Sequence, residues 1–297
     1  MMNKKGKLHG IKFYDICIAS ILILVGLIIL YPLYFVIIAS VSDPVAVNTG
    51  QVLWKPVGLH WEGYKEVLKS KSILTGYRNT IIYTTLGTAM NIVVTMLGAF
   101  VLSRRDLVGR KIFNWYIAIP MWFGGGLIPS YLTMHKLGLV GEPIILLLMG
   151  LVSSFNLIVA RTFVSGLPYE LQEAAKIDGA SDFQIMGKVI MPLCSSVIAV
   201  LTLYYAVGHW NSYFGPMIYI DDSRYQVLQV FLREILVLNQ NIDPNEIIDA
   251  EEMVEKVRLA QTLKYSLIVV SSLPLMILYP MLQKYFAKGV LVGSVKG

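Results

Sequence analysis

Residues 165–192 read SGLPYELQEAAKIDGASDFQIMGKVIMP, a polar stretch between two apolar runs that carries start and stop signals for two helices. Pro168 suits a first helical turn, and Glu170 and Glu173 follow where the positive end of a helix dipole favours anions. Gly179 can take the left-handed conformation that ends a helix. Ser181 and Gln184 have capping-box spacing and predict a second helix that runs through Phe183, Met186 and Ile190 into the next apolar run. Ala174 and Ala175 leave one face of the first helix nearly bare, so another protein could approach closely beside the Glu173 carboxylate. The spacing predicts a plug: a short helix, a glycine elbow and a second helix. An amphipathic helix lying on a membrane surface is the alternative that the pattern allows.

The surroundings of this stretch are membrane-like. Of 297 residues, 56% are hydrophobic and only 15% charged, against about a quarter charged in soluble domains, and the mean hydropathy is +0.63. The net charge of +6 does not imply nucleic acid, because the basic residues flank apolar runs and form no patch interleaved with aromatics. Cys17 and Cys194 lack redox or metal-ligand spacing and are expected as free thiols.

Uncharged apolar stretches predict an all-α integral membrane protein with six transmembrane helices in one domain, residues 1–297. The expected spans are about 16–41, 80–102, 112–134, 143–165, 190–210 and 264–283, since about 20 residues cross the hydrocarbon core. The first follows lysines, as a signal peptide would, but is too long for one and is expected to be retained. The run that starts near Val189 is too long for one crossing, so it is split near Trp210, leaving 211–220 as a bent outer segment. Basic residues gather before the first span, in the RRDLVGRK loop (104–111), in the loop 166–189 and after the last span. The positive-inside rule then places both termini and Glu173 in the cytoplasm. Outside, Trp61, Tyr64, Val67 and Leu68, and likewise Leu228, Phe231, Leu232, Ile235 and Leu238, recur at helical spacing and predict short interfacial helices. The acidic segment 242–258 is expected to project into water.

The uncharged runs beneath these spans, 16–41, 80–102, 112–134, 143–160, 189–220 and 265–283, contain no Asp, Glu, Lys or Arg, and a charge at the bilayer centre costs at least about 2.5–3.5 kcal/mol, so proton or ion coupling through such residues is not expected. There is no phosphate loop, HExxH, GxSxG or Cys/His cluster, so neither cofactor nor metal is expected in this chain. A transport path without an internal energy source must be driven from outside. Tyr204, Tyr205, His209, Trp210, Asn211, Tyr213 and Phe214 cluster at the outer end of the fifth span, with Asn156 in the fourth and Trp122 in the third. Aromatic faces and neutral hydrogen-bonding groups suit sugars. An interfacial aromatic belt and, for His209, a hydrogen-bonded structural role are the bland alternatives.

Glu173-Ala174-Ala175, three residues, Gly179, nine residues, then Val189, Met191 and Pro192 resemble the cytoplasmic EAA loop of ABC importer membrane subunits. MWFGGGLIPSYL, the HWNSYF segment and the ending YPMLQKYFAKGVLVGSVKG look like the carbohydrate-uptake group, in its oligosaccharide branch. The resemblance implies the type I importer permease fold and a non-catalytic subunit. It implies that Glu170, Glu173, Ala174, Ala175, Asp178, Gly179 and Pro192 form a coupling helix docked on an ATPase. It further implies a heterodimer with a second homologous permease, an ATPase dimer that holds ATP and Mg, an extracytoplasmic solute-binding protein, and residence in a bacterial inner or plasma membrane in contact with lipid. The final residues, 288–297, are expected to reach the ATPases. A polytopic enzyme acting on lipid or glycan, for which Asp221, Asp222 and Arg224 are the compact candidates, and a non-transporting scaffold are the competing classes.

Overall fold

The computed structural model describes residues 13–238 and 250–294, and all regular structure among them is helical. The chain starts with α1 (Phe13–Ser40), α2 (Pro44–Asn48), α3 (Glu62–Lys69) and the long α4 (Lys71–Ser103). Next come α5 (Arg110–Ala118), α6 (Leu127–Lys136), α7 (Ile145–Leu148), α8 (Ser154–Ser165) and α9 (Glu170–Ile177). Then α10 (Asp182–Gln184), a π-helical turn (Ile185–Ile190) and α11 (Met191–Leu193) lead into α12 (Ser195–Trp210). Finally α13 (Phe214–Tyr219) and α14 (Leu228–Leu238) precede α15 (Ala250–Ser294).

Among the described residues three helical segments are long and apolar enough to cross a membrane: Ile16–Ser40, Lys71–Ser103 and Ala260–Met281. A fourth arises if the bent pair Asp182–Leu193 and Ser195–Trp210 counts as one span. The stretches 112–134 and 143–165, expected as continuous helices, are each interrupted. In the first, Pro120 lies in a 3-10 turn and the chain leaves helix until Gly126, whose φ is +82°. In the second, Gly150 has φ +74° and Ser153 caps α8 by accepting from the Asn156 amide. Glycine tolerates such backbone at little steric cost, and that tolerance breaks the helix.

The helix expected to run on from Ser181 also departs from continuity. It turns by 84° at Cys194, between α11 and α12. Pro192 supplies no N–H and its ring crowds the carbonyl four residues back, so the preceding turn widens into π geometry and the chain redirects.

The chain forms two compact units. The first comprises Met1–Val67 with Leu238–Val269. There Ile38 and Ala39 of α1 pack with Ala46, Val47 and Val52, bordered by Phe35 and Tyr265. Gly63 lies so close to α15 that a Cβ would meet the Thr262 carbonyl at 2.5 Å and Ser266 Oγ at 2.3 Å. The packed face of α3 is therefore Gly63 and Val67, while Trp61 and Leu68 of the expected stripe are exposed.

The second unit comprises Leu68–Val237 with Val270–Gly297. Its core is α4 against α8 and α12, where Met96, Ala99, Phe100, Leu157, Ala160, Val164, Val197 and Leu201 are buried with Ile185, Ile190 and Cys194 of the bent segment. At the other end of α4, the Asn79 amide donates to the carbonyls of Arg224 and Gln226 at 2.8 and 2.9 Å, and the Leu228 amide donates to Thr80 Oγ1. The chain turns at Trp210 as the sequence predicts, and 214–219 is the short helix α13. Of the acidic segment 242–258, residues 242–249 lie outside the described residues and the remainder starts α15. Of the tail, 295–297 lies outside them as well.

Candidate functional site

Two places in the second unit gather the residues singled out in the sequence. The first is the elbow around α9. Glu170 and Glu173 occupy its first turn, Asp178 is its C-cap, and Gly179 follows with φ +79°. The capping box is complete: the Ser181 amide donates to Gln184 Oε1 at 2.8 Å and the Gln184 amide to Ser181 Oγ at 3.4 Å.

Burial divides the alanine pair. Gln172 is buried and Ala175 packs against the core, whereas Glu173 and Ala174 face outward. Ile177, 86% exposed, lies one turn beyond Glu173 and Ala174, and Phe183, 82% exposed, follows the elbow. Because Gln172 and Ala175 anchor the helix, the bare surface is Glu173, Ala174 and Ile177, not the two alanines together. Pro192, at the start of α11, marks the 84° bend and is itself exposed.

Two consecutive arginines that follow α4 hold both ends of this elbow. The Arg105 guanidinium stacks over the Tyr169 ring at 4.9 Å, at the entry to α9. Arg104 donates to Asp182 at 2.5 Å, at the exit, and forks onto Asp106 at 3.0 and 2.8 Å. The Arg104 hydrogen bonds hold the Asp106 carboxyl down at a pKa of about 2, and those same bonds push the guanidinium's own pKa up. The sequence shows RRD only as a basic loop; its grip on residues 169 and 182 depends on folding.

The second place is a cavity of about 480 Å³ beside α12. Asn156, Tyr204, Tyr205 and His209 line it together with Tyr83, Ser153 and Ser212. Its polar wall is ordered by Asn91, which is wholly buried on α4. The Asn91 amide donates to the carbonyls of Gly150 and Leu151 at 2.9 and 2.7 Å, in the break before α8. Its Oδ1 lies 2.7 Å from His209 Nε2. Buried irregular backbone needs such a partner. Gly87 admits the imidazole, since a Cβ there would lie 2.5 Å from the ring. Tyr205 and Thr95 hydroxyls meet at 2.7 Å, and the Ser153 amide donates to the Tyr205 oxygen at 3.3 Å.

Other members of the aromatic group lie elsewhere. Trp210 is 3% exposed, donates its indole N–H to the Ser271 carbonyl at 2.8 Å and packs edge-on against Tyr77. It holds α4, α12 and α15 together. Asn211, Tyr213, Phe214 and Trp122 are exposed and do not line the cavity. Asn91, Thr95 and Tyr83 escaped the sequence reading, although Thr80, Thr84, Thr88, Asn91 and Thr95 form a polar stripe at helical spacing within an apolar run. Asp222 and Arg224, the enzyme candidates, form an exposed pair at 2.6 Å in a tight turn. Among the described residues no group of three His, Cys, Asp or Glu could hold a metal.

Residues 72–292 match the model of the binding-protein-dependent transport system inner membrane component family. The chain belongs to this family. The permease is 34% identical over 288 residues to the polygalacturonan/rhamnogalacturonan transport system permease protein YtcP of Bacillus subtilis, covering 96% of this chain and 99% of that one. It is 35% identical over 286 residues to Protein LplC of the same organism, covering 96% of each. It also resembles a chain in the crystal structure of a bacterial ABC transporter involved in the import of the acidic polysaccharide alginate, with 33% identity, a TM-score of 0.84, and coverage of 94% of this chain and 98% of that one. A chain from the alginate transporter in complex with its pentasaccharide-bound periplasmic protein shares the fold at 13% identity and a TM-score of 0.55. The permease is an ABC transporter membrane component.

Proposed function

We propose that this permease is a six-crossing subunit in a bacterial cell membrane, with both termini and α9 in the cytoplasm, and that it forms half of the path of an ATP-driven oligosaccharide importer. Its partners are a second homologous permease, two ATPase subunits that bind ATP and Mg, and an extracytoplasmic solute-binding protein. No covalent chemistry takes place in this chain.

The observation that carries the reading is the elbow: an exposed carboxylate, Glu173, beside an exposed alanine, on a helix held at both ends by Arg105 on Tyr169 and Arg104 on Asp182. A helix fastened in this way moves as a rigid body when a docked partner moves, and α4, from which both arginines issue, carries the movement to Asn91 and Thr95 at the cavity. Glu170, Asp178, Gly179 and Pro192 shape the ends and exit of this lever. Alternating access is the corresponding global transition.

For the substrate, Tyr83, Ser153, Asn156, Tyr204 and Ser212 offer neutral donors, acceptors and ring faces in one cavity. That chemistry fits the hydroxyls and faces of saccharide rings. The relatives named for polygalacturonan/rhamnogalacturonan and alginate point to oligosaccharides from complex polysaccharides. In the assembled complex, Glu173→Lys is expected to abolish solute-stimulated ATP hydrolysis while the subunit stays in the membrane. Unchanged stimulation would remove α9 from the coupling role.

A further inference from the structure

A second cavity in the same unit, about 380 Å³, has a different character. Leu102 at the last turn of α4, Lys111, Asn114, Trp115 and Ile117 on α5, and Leu157, Ile158 and Arg161 on α8 are among its lining. Two cations face it, and no carboxylate lines it.

Arg161 is half-buried and only partly satisfied. One terminal nitrogen donates to Asn114 Oδ1 at 2.7 Å. The Nε hydrogen is buried without an acceptor among the described residues. Arg161 also has no carboxylate partner within ion-pair distance there. A guanidinium offers five donors in a planar fork suited to phosphate oxygens, and leaving a buried donor unmet is unfavourable. Lys111 adds a point charge at the rim, and Trp115, 71% exposed, brings an indole of the kind enriched at membrane interfaces. The remaining wall is aliphatic.

We infer that this cavity holds an anionic phospholipid, with the headgroup phosphate on Arg161 and Lys111 and an acyl chain along Ile117, Leu157 and Ile158. Basic pockets between membrane helices on the cytoplasmic side are suited to anionic headgroups. The leaflet assignment rests on the proposed orientation, which puts the α4 C-terminus at the inner surface; the binding itself does not.

The test uses the assembled transporter purified in a neutral detergent and titrated with dioleoyl phosphatidylglycerol or dioleoyl phosphatidylcholine, with native mass spectrometry reading bound lipid. Phosphatidylglycerol is expected to bind in preference to phosphatidylcholine, with affinity falling about tenfold in Arg161→Gln, as expected for loss of a charge-assisted contact, and less in Lys111→Gln. Ile158→Trp, which leaves the guanidinium and fills the aliphatic arm, should also weaken binding; it serves if Arg161→Gln fails to assemble. Equal retention by wild type and both the Arg161 and Ile158 variants would overturn the inference. So would a Trp115→Cys cross-link to the second permease, which would show the cavity covered by protein. Orientation is read separately, from labelling of Lys111→Cys on either side of the membrane, so an error there leaves the lipid result standing.

Discussion

Arg104 and Asp182 are 78 positions apart, yet the guanidinium donates to the carboxylate at 2.5 Å, joining the end of α4 to the helix that leaves the elbow. Arg104 is mostly shielded while Asp182 is largely exposed, so the pair sits where solvent only partly screens it. If this contact passes motion along, Arg104→Ala should lower transport per ATP hydrolysed more than it lowers complex assembly. The reversed pair Arg104→Asp with Asp182→Arg should recover part of the loss. Transport and hydrolysis measured in the same proteoliposomes check this; loss of assembly in step with transport would mean that the contact only supports folding.

The elbow itself depends on Gly179 holding φ +79°. Any residue with a Cβ is strained there, and proline cannot adopt a positive φ. Gly179→Pro is expected to leave membrane insertion intact and abolish ATPase stimulation, whereas Gly179→Asn should retain most of it, because asparagine tolerates the left-handed region.

At the cavity, Asn91 satisfies two backbone carbonyls and His209 at once. Asn91→Leu leaves those groups without a partner, at a cost of about 1–3 kcal/mol for a buried group left unmet. A drop in melting temperature in thermal unfolding of the purified complex is the expected result. Tyr205→Phe removes the hydroxyl shared with Thr95 and Ser153 and should be milder, since a hydrogen bond contributes about 0.5–1.5 kcal/mol net.

Asp106 gives a pH prediction. Its folded pKa, about 2, lies below the ordinary 3.8, so the contribution of its bond to Arg104 is complete above the ordinary value. It is lost as pH falls through about 2. A stability profile of wild type against Asp106→Asn should therefore converge on acidification below pH 4 and stay parallel above it.

Much of the elbow is legible from the chain because its signals are local. A capping serine, a glutamine three residues on and a glycine at the elbow specify geometry without tertiary help, and each is found in place. The cavity is less legible. Trp210, Tyr204 and Asn211 look alike in an apolar run, but neighbours that the sequence does not display separate them. Ser271 captures the Trp210 indole, and Gly87 opens space for His209. The interruptions of the third and fourth apolar stretches follow the same logic. Hydropathy measures length and apolarity, whereas the first stretch leaves helix around Pro120 and resumes it only after Gly126, the second breaks at Gly150, and Asn91 makes that second break tolerable.

The central claim is that α9 is a cytoplasmic handle gripped by the ATPase. Ala174→Cys, next to Glu173 on the exposed face, tests it most directly in intact cells and membranes. The account predicts a cross-link to the ATPase subunit and no labelling by a membrane-impermeant thiol reagent added outside. Labelling from the outer face, with no such cross-link, would contradict it.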